Sequence, residues 1–334
     1  MGRVKIIFSP KNVTFVKMQA LIDTDLDLAA QLLIDGQCVA IPTETVYGLA
    51  ANALDKSAAA QIFKIKARPE FDPLIVHVDS MRSAMKWVKE FPEKAEMLAR
   101  RFWPGPLTLI LPKRKEIPYE VTAGLETVGM RVPQHDLTIQ LLEMLDFPLA
   151  APSANPFGYV SPTSADHVFD QLRDKIPYIL DGGESQVGIE STIVGFEDGV
   201  PVIYRKGAVT EEMIAEVCGE VRSQTHSASN PKAPGMLTSH YSPNADVEII
   251  TRFIRGVREN EGYIAWKELP KGMEVKNKFI LSPDGDLFEA ARRLYAGLRL
   301  LDRKGLVRIF IELVPNAGIG ASINDRIQRS AAEK

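Results

Sequence analysis

The sequence predicts an α/β (α+β) protein: a sheet covered by helices, followed by a smaller unit in which strand and helix alternate. Three observations predict it. Short, near-continuous apolar runs recur between stretches of helical period, the pattern of strands buried under helices. Composition shifts after Cys218, where Gly219 to Ala245 is rich in Ser, Thr, Asn and Pro and lacks apolar periodicity. The 334 residues also exceed one average domain, at roughly 150 residues each.

The first helix spans Asp25 to Asp35. Thr24 is placed to cap it with Asp27 at the third position, Leu26, Ala29, Ala30 and Leu33 share one face, and Gly36 ends it. Cys38 to Ile41 is a strand. A second helix starts near Asp55, buries Ala58, Ala59, Ile62 and Phe63, and runs into Lys64, Lys66 and Arg68 before Pro69 and Pro73 break it. Leu74 to Val78, Leu107 to Leu111, Leu149 to Ala151, Ile179 to Leu180 and Thr192 to Val194 are apolar strands. Later come strands at Val247 to Ile250 and Tyr263 to Trp266, a helix around Asp286 to Asp302, a strand at Leu306 to Val314 and a terminal helix near Ala321 to Ala331. The expected division is a large unit at 12–218, a connecting segment at 219–245 and a smaller unit at 246–334.

Forty Lys and Arg against 43 Asp and Glu leave a net charge of −3, so no global cationic field holds nucleic acid or an acidic membrane. Any anion site must be local. No run approaches 18 apolar residues, which predicts no membrane span. Met1 to Phe15 lack the apolar core of a secretory signal, and the expected location is cytoplasmic. Cys38 and Cys218 stand apart, giving neither a disulfide framework nor a zinc site. The P-loop, HExxH and GxSxG signatures are absent, which removes the main support for the chemistries they carry. Gly318-Ile319-Gly320 lacks the third glycine of a dinucleotide fingerprint and reads as a strand-to-helix turn.

Polar residues concentrate where strands end. Pro42-Thr43-Glu44-Thr45-Val46-Tyr47-Gly48 follows the first strand, where hydroxyls suit either a small ligand or a self-satisfied turn. Lys64, Lys66 and Arg68 close a helix, whose dipole favours cations there with or without a ligand. Ala151-Pro152-Ser153-Ala154-Asn155 and Ser161-Pro162-Thr163 read equally as anion-receiving turns or as Pro-bracketed surface turns. Gly188-Ile189-Glu190-Ser191-Thr192 precedes another strand. His77, Arg131 and Arg205 add a histidine and two cations at or beside apolar segments.

Taken in order, Pro42 to Leu49, Lys66-x-Arg68 with Pro73 to His77, Phe102 to Thr108, Ser153-x-Asn155 and Gly188 to Thr192 resemble the YrdC-type domain of L-threonylcarbamoyl-AMP synthases over roughly residues 15–210. Pro234-Gly235-Met236, His240-Tyr241-Ser242-Pro243 and Gly318 to Arg326 resemble the linker and end of that family's long form. The resemblance implies an open twisted mixed sheet covered by helices, plus a smaller Rossmann-like α/β domain. It also implies a nucleotidyltransferase that combines L-threonine, bicarbonate or carbon dioxide, and ATP into threonylcarbamoyl-AMP and pyrophosphate. The product would feed N6-threonylcarbamoyladenosine formation through a downstream tRNA threonylcarbamoyl transferase, tRNA itself being engaged only indirectly.

By motif, the resemblance puts L-threonine on Thr45, His77, Arg131, the Ala151 backbone and Ser191. It puts ATP on Arg68, Asp72, Thr127, Ser153, Asn155, Ser161, Arg205 and Tyr241, with Lys66 and Arg68 as the catalytic cations. Such cations suit a reaction in which an anionic carbamate displaces pyrophosphate from the α-phosphorus of ATP. Magnesium is expected on the ATP phosphates, with no protein side chain as ligand. Both the carbamate and the mixed anhydride hydrolyse readily, so a closing site is expected, with the segment bearing His240 and Tyr241 as its lid. The family commonly has asparagine where this chain has Asp72; a carboxylate there would repel phosphate unless it faces ribose or adenine or works through a cation, and the ribose or adenine side is the expected one. Two alternatives remain: a double-stranded RNA- or tRNA-binding module, weakened by the net charge, and carbamoyl transfer in hydrogenase maturation, weakened by the two cysteines.

Overall fold

The structure is a computed structural model that describes residues 19–225, 233–234, 241–251 and 256–332. Gly235, Met236 and His240 of the connecting segment lie outside the described residues. The first unit contributes strands β1 (Leu21–Asp23), β2 (Val39–Ile41), β3 (Gly48–Asn52), β4 (Ile75–His77), β5 (Leu107–Pro112), β6 (Thr127–Arg131), β7 (Leu149–Ala150), β8 (Tyr178–Leu180), β9 (Thr192–Glu197), β10 (Val200–Arg205) and β11 (Arg222–Ser223). They form one mixed sheet in the order β1-β8-β2-β3-β7-β4-β6-β5-β9-β10-β11. Its helices are α1 (Leu26–Ile34), α2 (Lys56–Lys66), α3 (Met81–Ala84), α4 (Glu93–Phe102), α5 (Tyr119–Thr122), α6 (Asp136–Glu143), α7 (Ala165–Leu172) and α8 (Glu211–Cys218).

Side chains alternate across the sheet, so each strand feeds two cores. Leu49 and Ala51 of β3 join α2, α4, α7 and α8 on one face, whereas Ala50 meets Ala29, Leu33 and Leu141 of α1 and α6 on the other. Beyond α6 the second face carries a small apolar cluster of Ile75, Ile193, Val202 and Tyr204 instead, with Ala233 of the connecting segment against it. This part of the sheet holds the site.

The second unit has four parallel strands, β12 (Asp246–Ile249), β13 (Glu261–Ala265), β14 (Lys278–Ile280) and β15 (Arg308–Ile311), in the order β12-β15-β13-β14, with helices α9 (Leu287–Asp302) and α10 (Ile319–Ser330). Parallel pairing with crossover helices is the expected Rossmann-like arrangement. Ala290, Ala291, Leu294, Leu298 and Leu301 give α9 its buried stripe. That stripe shares one apolar cluster with Val46, Val160, Ile189, Ala208 and Tyr241, so the smaller unit's core continues into the larger one. Gly318 begins α10 with a positive φ, and a Cβ at Gly320 would lie 2.0 Å from the Pro315 carbonyl oxygen, so a glycine is required there.

Two helix ends differ from the sequence reading in an instructive way. The cap of α1 is Asp25, whose Oδ1 accepts from Leu28 N–H at 3.0 Å, and not Thr24. Both residue types cap well, and the helix starts one residue later than the apolar spacing implied. Helix α2 ends at Lys66, because Ala67 turns into the left-handed region (φ 52°) two residues before Pro69. No helix among the described residues is long and apolar enough to cross a membrane.

Candidate active site

The site lies at the carboxyl ends of β4 and β6, which run parallel with His77 directly beside Arg131. A short bridge between Gly48 and Ser153 brings the turn after β2 against the turn after β7. A cavity of about 50 Å³ results, lined by Thr45, His77, Arg131 and Ala151 and equally by Arg68, Ser153, Arg205 and Tyr241. Glu190 and Pro234 complete much of its wall.

Within the Pro42 to Gly48 turn, Thr43 Oγ1 accepts from the Thr45 and Val46 N–H groups and lies 2.9 Å from Thr45 Oγ1. Thr45 Oγ1 in turn accepts from Arg131 Nη2 at 2.8 Å. The same Nη2 lies 2.7 Å from the buried Glu44 carboxylate, while Arg131 Nε has no hydrogen-bond partner. Burial, followed by the neighbouring Arg131 charge, lowers the His77 pKa to about 3, so its ring is neutral near pH 7. His77 Nδ1 is buried and without a partner. Ala151 N–H already donates to Ile75, which leaves its carbonyl as the backbone group to offer.

The left-handed Ala67 turns Arg68 back toward Asp72 and Pro73, whose carbonyls accept from Nε and Nη2 at 3.0 and 2.9 Å. Nη2 also forms an ion pair with Asp72 Oδ2 at 2.9 Å. The carboxylate therefore has a cation as its partner within the protein. Burial pushes the Asp72 carboxyl up against the opposing pull of Arg68. Lys66 does not line the cavity. Its Nζ donates to the Ser153 and Asn155 carbonyls at 2.5 Å each, and burial, then Arg68, brings its pKa well below the usual lysine range.

Arg205, at the end of β10, donates through Nε to the Ser191 carbonyl and through Nη2 to Ser191 Oγ, both at 3.0 Å. Ser191 Oγ also meets Thr108 Oγ1 at 2.7 Å. Ser161 Oγ donates to Glu190 at 2.6 Å, and Asn155 Nδ2 donates to the Pro156 and Tyr159 carbonyls. Thr127 sits apart. It begins β6, four residues before Arg131 on the same sheet face, and lines a separate cavity of about 420 Å³ with Ile110, Gly195 and Tyr204. A Cβ at Gly195 would lie 2.4 Å from the Tyr204 ring, so glycine makes room for that ring on this face.

Residues that sequence reasoning left without a role complete the geometry. Glu44 and Glu190 stand inside the recognised motifs, but their partners are not readable from spacing. Arg326 of α10 reaches Glu190 Oε2 at 2.8 Å, and Tyr295 of α9 donates to the same oxygen at 2.9 Å. Tyr241, fully buried with a positive φ of 64°, stacks on Tyr295. A non-glycine residue held there costs about 1–3 kcal/mol and persists where its surroundings fix it. Among the described residues no group of three or more His, Cys, Asp or Glu is placed to hold a metal ion.

A helix-covered α/β sheet with buried cations converging on one small cavity at its strand ends defines a class: an enzyme for small anionic ligands. A family model described as "Telomere recombination" matches residues 31–207, and one described as "Threonylcarbamoyl-AMP synthase, C-terminal domain" matches 209–332. The threonylcarbamoyl-AMP synthase of Pyrococcus abyssi is 43% identical to this chain, covering 91% of it and 93% of the relative. That of Bacillus subtilis is 37% identical, covering 92% and 93%. The solved structure of P. abyssi Sua5 complexed with L-threonine matches with a TM-score of 0.84 at 39% identity, covering 92% of this chain and 94% of that one. The chain belongs to the threonylcarbamoyl-AMP synthase family.

Proposed function

We propose that this chain joins L-threonine, bicarbonate or carbon dioxide, and MgATP into threonylcarbamoyl-AMP and pyrophosphate, by nucleotidyl transfer. The observation that carries this is the single cavity lined jointly by Thr45, His77, Arg131 and Ala151 and by Arg68, Ser153, Arg205 and Tyr241. These are four of the five threonine residues and four of the eight ATP residues that the family motifs imply, and their meeting at one cavity supports the reading.

Arg131 binds the threonine carboxylate through its open Nε, while Glu44 and Thr45 hold Nη2 and fix the plane of the guanidinium. Neutral His77 meets the threonine hydroxyl through Nδ1, and the Ala151 carbonyl accepts from the amine. Arg68 and Arg205 face the phosphates where charge gathers as the carbamate oxygen attacks and pyrophosphate leaves. Lys66 holds the Ser153 to Asn155 turn in place from behind. An ATP extended along this sheet face from Arg131 runs toward Thr127, roughly 13 Å away at about 3.3 Å per residue. Magnesium enters with ATP as part of the substrate. The carboxylates nearest the cavity, Glu44, Asp72 and Glu190, are already paired with arginines, which fits a metal held mainly by phosphate.

Ligand pockets usually measure about 300–1,000 Å³, so a cavity of about 50 Å³ must enlarge to admit two substrates. Ala233, Pro234 and Tyr241 cover it, and their withdrawal and return supply the lid that keeps water from the carbamate. The adenylate then passes to a tRNA threonylcarbamoyl transferase in the cytoplasm, and residues 12–218, 219–245 and 246–334 act as catalytic domain, lid and supporting domain. Incubation with threonine, bicarbonate, ATP and magnesium is expected to release pyrophosphate only when threonine and bicarbonate are both present. Threonine-independent release, or none, refutes the reading.

A further inference from the structure

Glu190 presents a difficulty for an ATP site. Its carboxylate lines the same cavity as Arg68, Ser153 and Arg205, where it would repel a triphosphate. Burial alone would raise its pKa, yet Arg326, Arg205 and the Ser161 and Arg326 hydrogen bonds bring it down to about 2, so it is charged. The charge is balanced from the other unit. Arg326 contacts Glu190 Oε2 through Nε at 2.8 Å, its Nη2 donates to the Lys206 carbonyl at 2.7 Å, and its Nη1 pairs with Asp325 at 2.6 Å. The guanidinium also lies 5.1 Å from the centre of the Tyr241 ring, which stacks on Tyr295 at 5.7 Å. Tyr295 OH completes the cluster by donating to Glu190.

Resting on the proposed function, we infer that Arg326, from the C-terminal unit, is a positioning residue of the synthase: it neutralises Glu190 at the ATP side of the pocket and seats Tyr241 in its closed position. Three features of one guanidinium serve this. It is wholly buried, so its charge is poorly screened and acts strongly on Glu190. Its face receives the Tyr241 ring, an attraction that only a cation at this place supplies. Its Nη2 and Nη1 are tied to the Lys206 carbonyl and to Asp325, which prevents it from swinging to the phosphates itself. Loss of Arg326 thus leaves a buried carboxylate facing ATP and removes one side of the Tyr241 seat. The threonine end is spared, because Arg131 has its own carboxylate partner in Glu44. The smaller unit is therefore part of the site, although Arg326 contacts neither substrate.

The test measures threonine-dependent pyrophosphate release against ATP and threonine for the full-length wild type, Arg326→Met, Glu190→Gln with Arg326→Met, and Tyr295→Phe. Arg326→Met is expected to raise KM for ATP about ten- to a hundredfold while moving KM for threonine less than about threefold, since each factor of ten is a modest difference in interaction free energy. Adding Glu190→Gln removes the unbalanced charge and should return KM for ATP to within about tenfold of wild type, the remainder being the Tyr241 seat. Tyr295→Phe, which keeps the ring stack but removes one donor to Glu190, should raise KM for ATP about threefold. An unchanged KM for ATP in Arg326→Met, an equal rise for both substrates, or no rescue by Glu190→Gln overturns the inference. If Arg326→Met does not fold, Tyr295→Phe decides, and an unchanged KM for ATP overturns it. If the wild type releases no threonine-dependent pyrophosphate, the functional reading fails separately, and calorimetric titration of ATP into the same proteins decides the inference by the same ordering.

Discussion

The two walls of the cavity are built differently. On the large sheet, the ion pairs are local: Arg68 meets Asp72 four residues on, and Arg131 meets Glu44 on a neighbouring turn of the same unit. On the opposite wall, Glu190 is balanced by Arg326, 136 residues away on the last helix of the other unit. The first kind of wall is complete within one unit, because its strand ends and turns bring both pairs together. The second kind exists only once the two cores merge. The difference teaches that the chemistry is encoded locally and the closure of the site globally.

The sharpest break of this comparison is in the local wall. Arg68→Ala, in the wall itself, and Lys66→Ala, which frees the turn behind it, should each lower turnover more than about tenfold, as loss of a charge-assisted contact costs about 1.5–3 kcal/mol. Initial rates at saturating substrates check this, and retained turnover in both removes them from the mechanism. The far wall responds to geometry instead. Gly188 has a φ of 78°, and a Cβ there would sit 2.3 Å from Arg292 Cα of α9, so Gly188→Ala should wedge the units apart. Overpacking of this kind costs about 1–3 kcal/mol, and thermal unfolding together with KM for ATP should both worsen.

Smaller effects sharpen the contrast. Arg131→Lys keeps the charge but loses the fork, and should raise KM for threonine about tenfold with little change for ATP. Acid should find the large sheet before the interface. His77 has its pKa lowered from 6.5 to about 3, so its neutral form is favoured by folding: stability is full above pH 6.5 and falls as pH drops toward 3. The loss is at most about 1.4 kcal/mol per pH unit in that window. Glu190, lowered from 4.5 to about 2, loses its contribution only as pH falls below 4.5. Denaturant midpoints of wild type and His77→Gln from pH 7 to 4 check this, the variant being expected to show the shallower decline. Smallest of all, Asp25→Ala should cost about 1 kcal/mol and Thr24→Ala much less, since only Asp25 caps α1.

Much of the fold was legible because burial writes itself as period. The apolar runs at Leu107 to Leu111 and at Thr192 to Val194 coincide with β5 and with the start of β9, and Asp55 and Asp286 cap α2 and α9. Strand β3 was hidden, since Gly48-Leu49-Ala50-Ala51-Asn52 carries small residues of low strand preference and follows a turn motif. The site was legible as motifs, but the direction of each side chain was not. Lys66 points to two carbonyls and Thr127 opens on another cavity, facts that depend on which sheet face each residue takes. Arg326 was legible only as the end of the Gly318 to Arg326 resemblance, because on an amphipathic helix its sequence position does not reveal Glu190 as its partner.

The most direct test is a crystal structure of the full chain with L-threonine and a non-hydrolysable ATP analogue bound together. The threonine carboxylate is expected on Arg131, the phosphates against Arg68 and Arg205, and Tyr241 against the nucleotide while Arg326 still contacts its ring and holds Glu190. Both ligands bound with Tyr241 withdrawn from Arg326, or with Glu190 freed from it, would contradict a site built by both units.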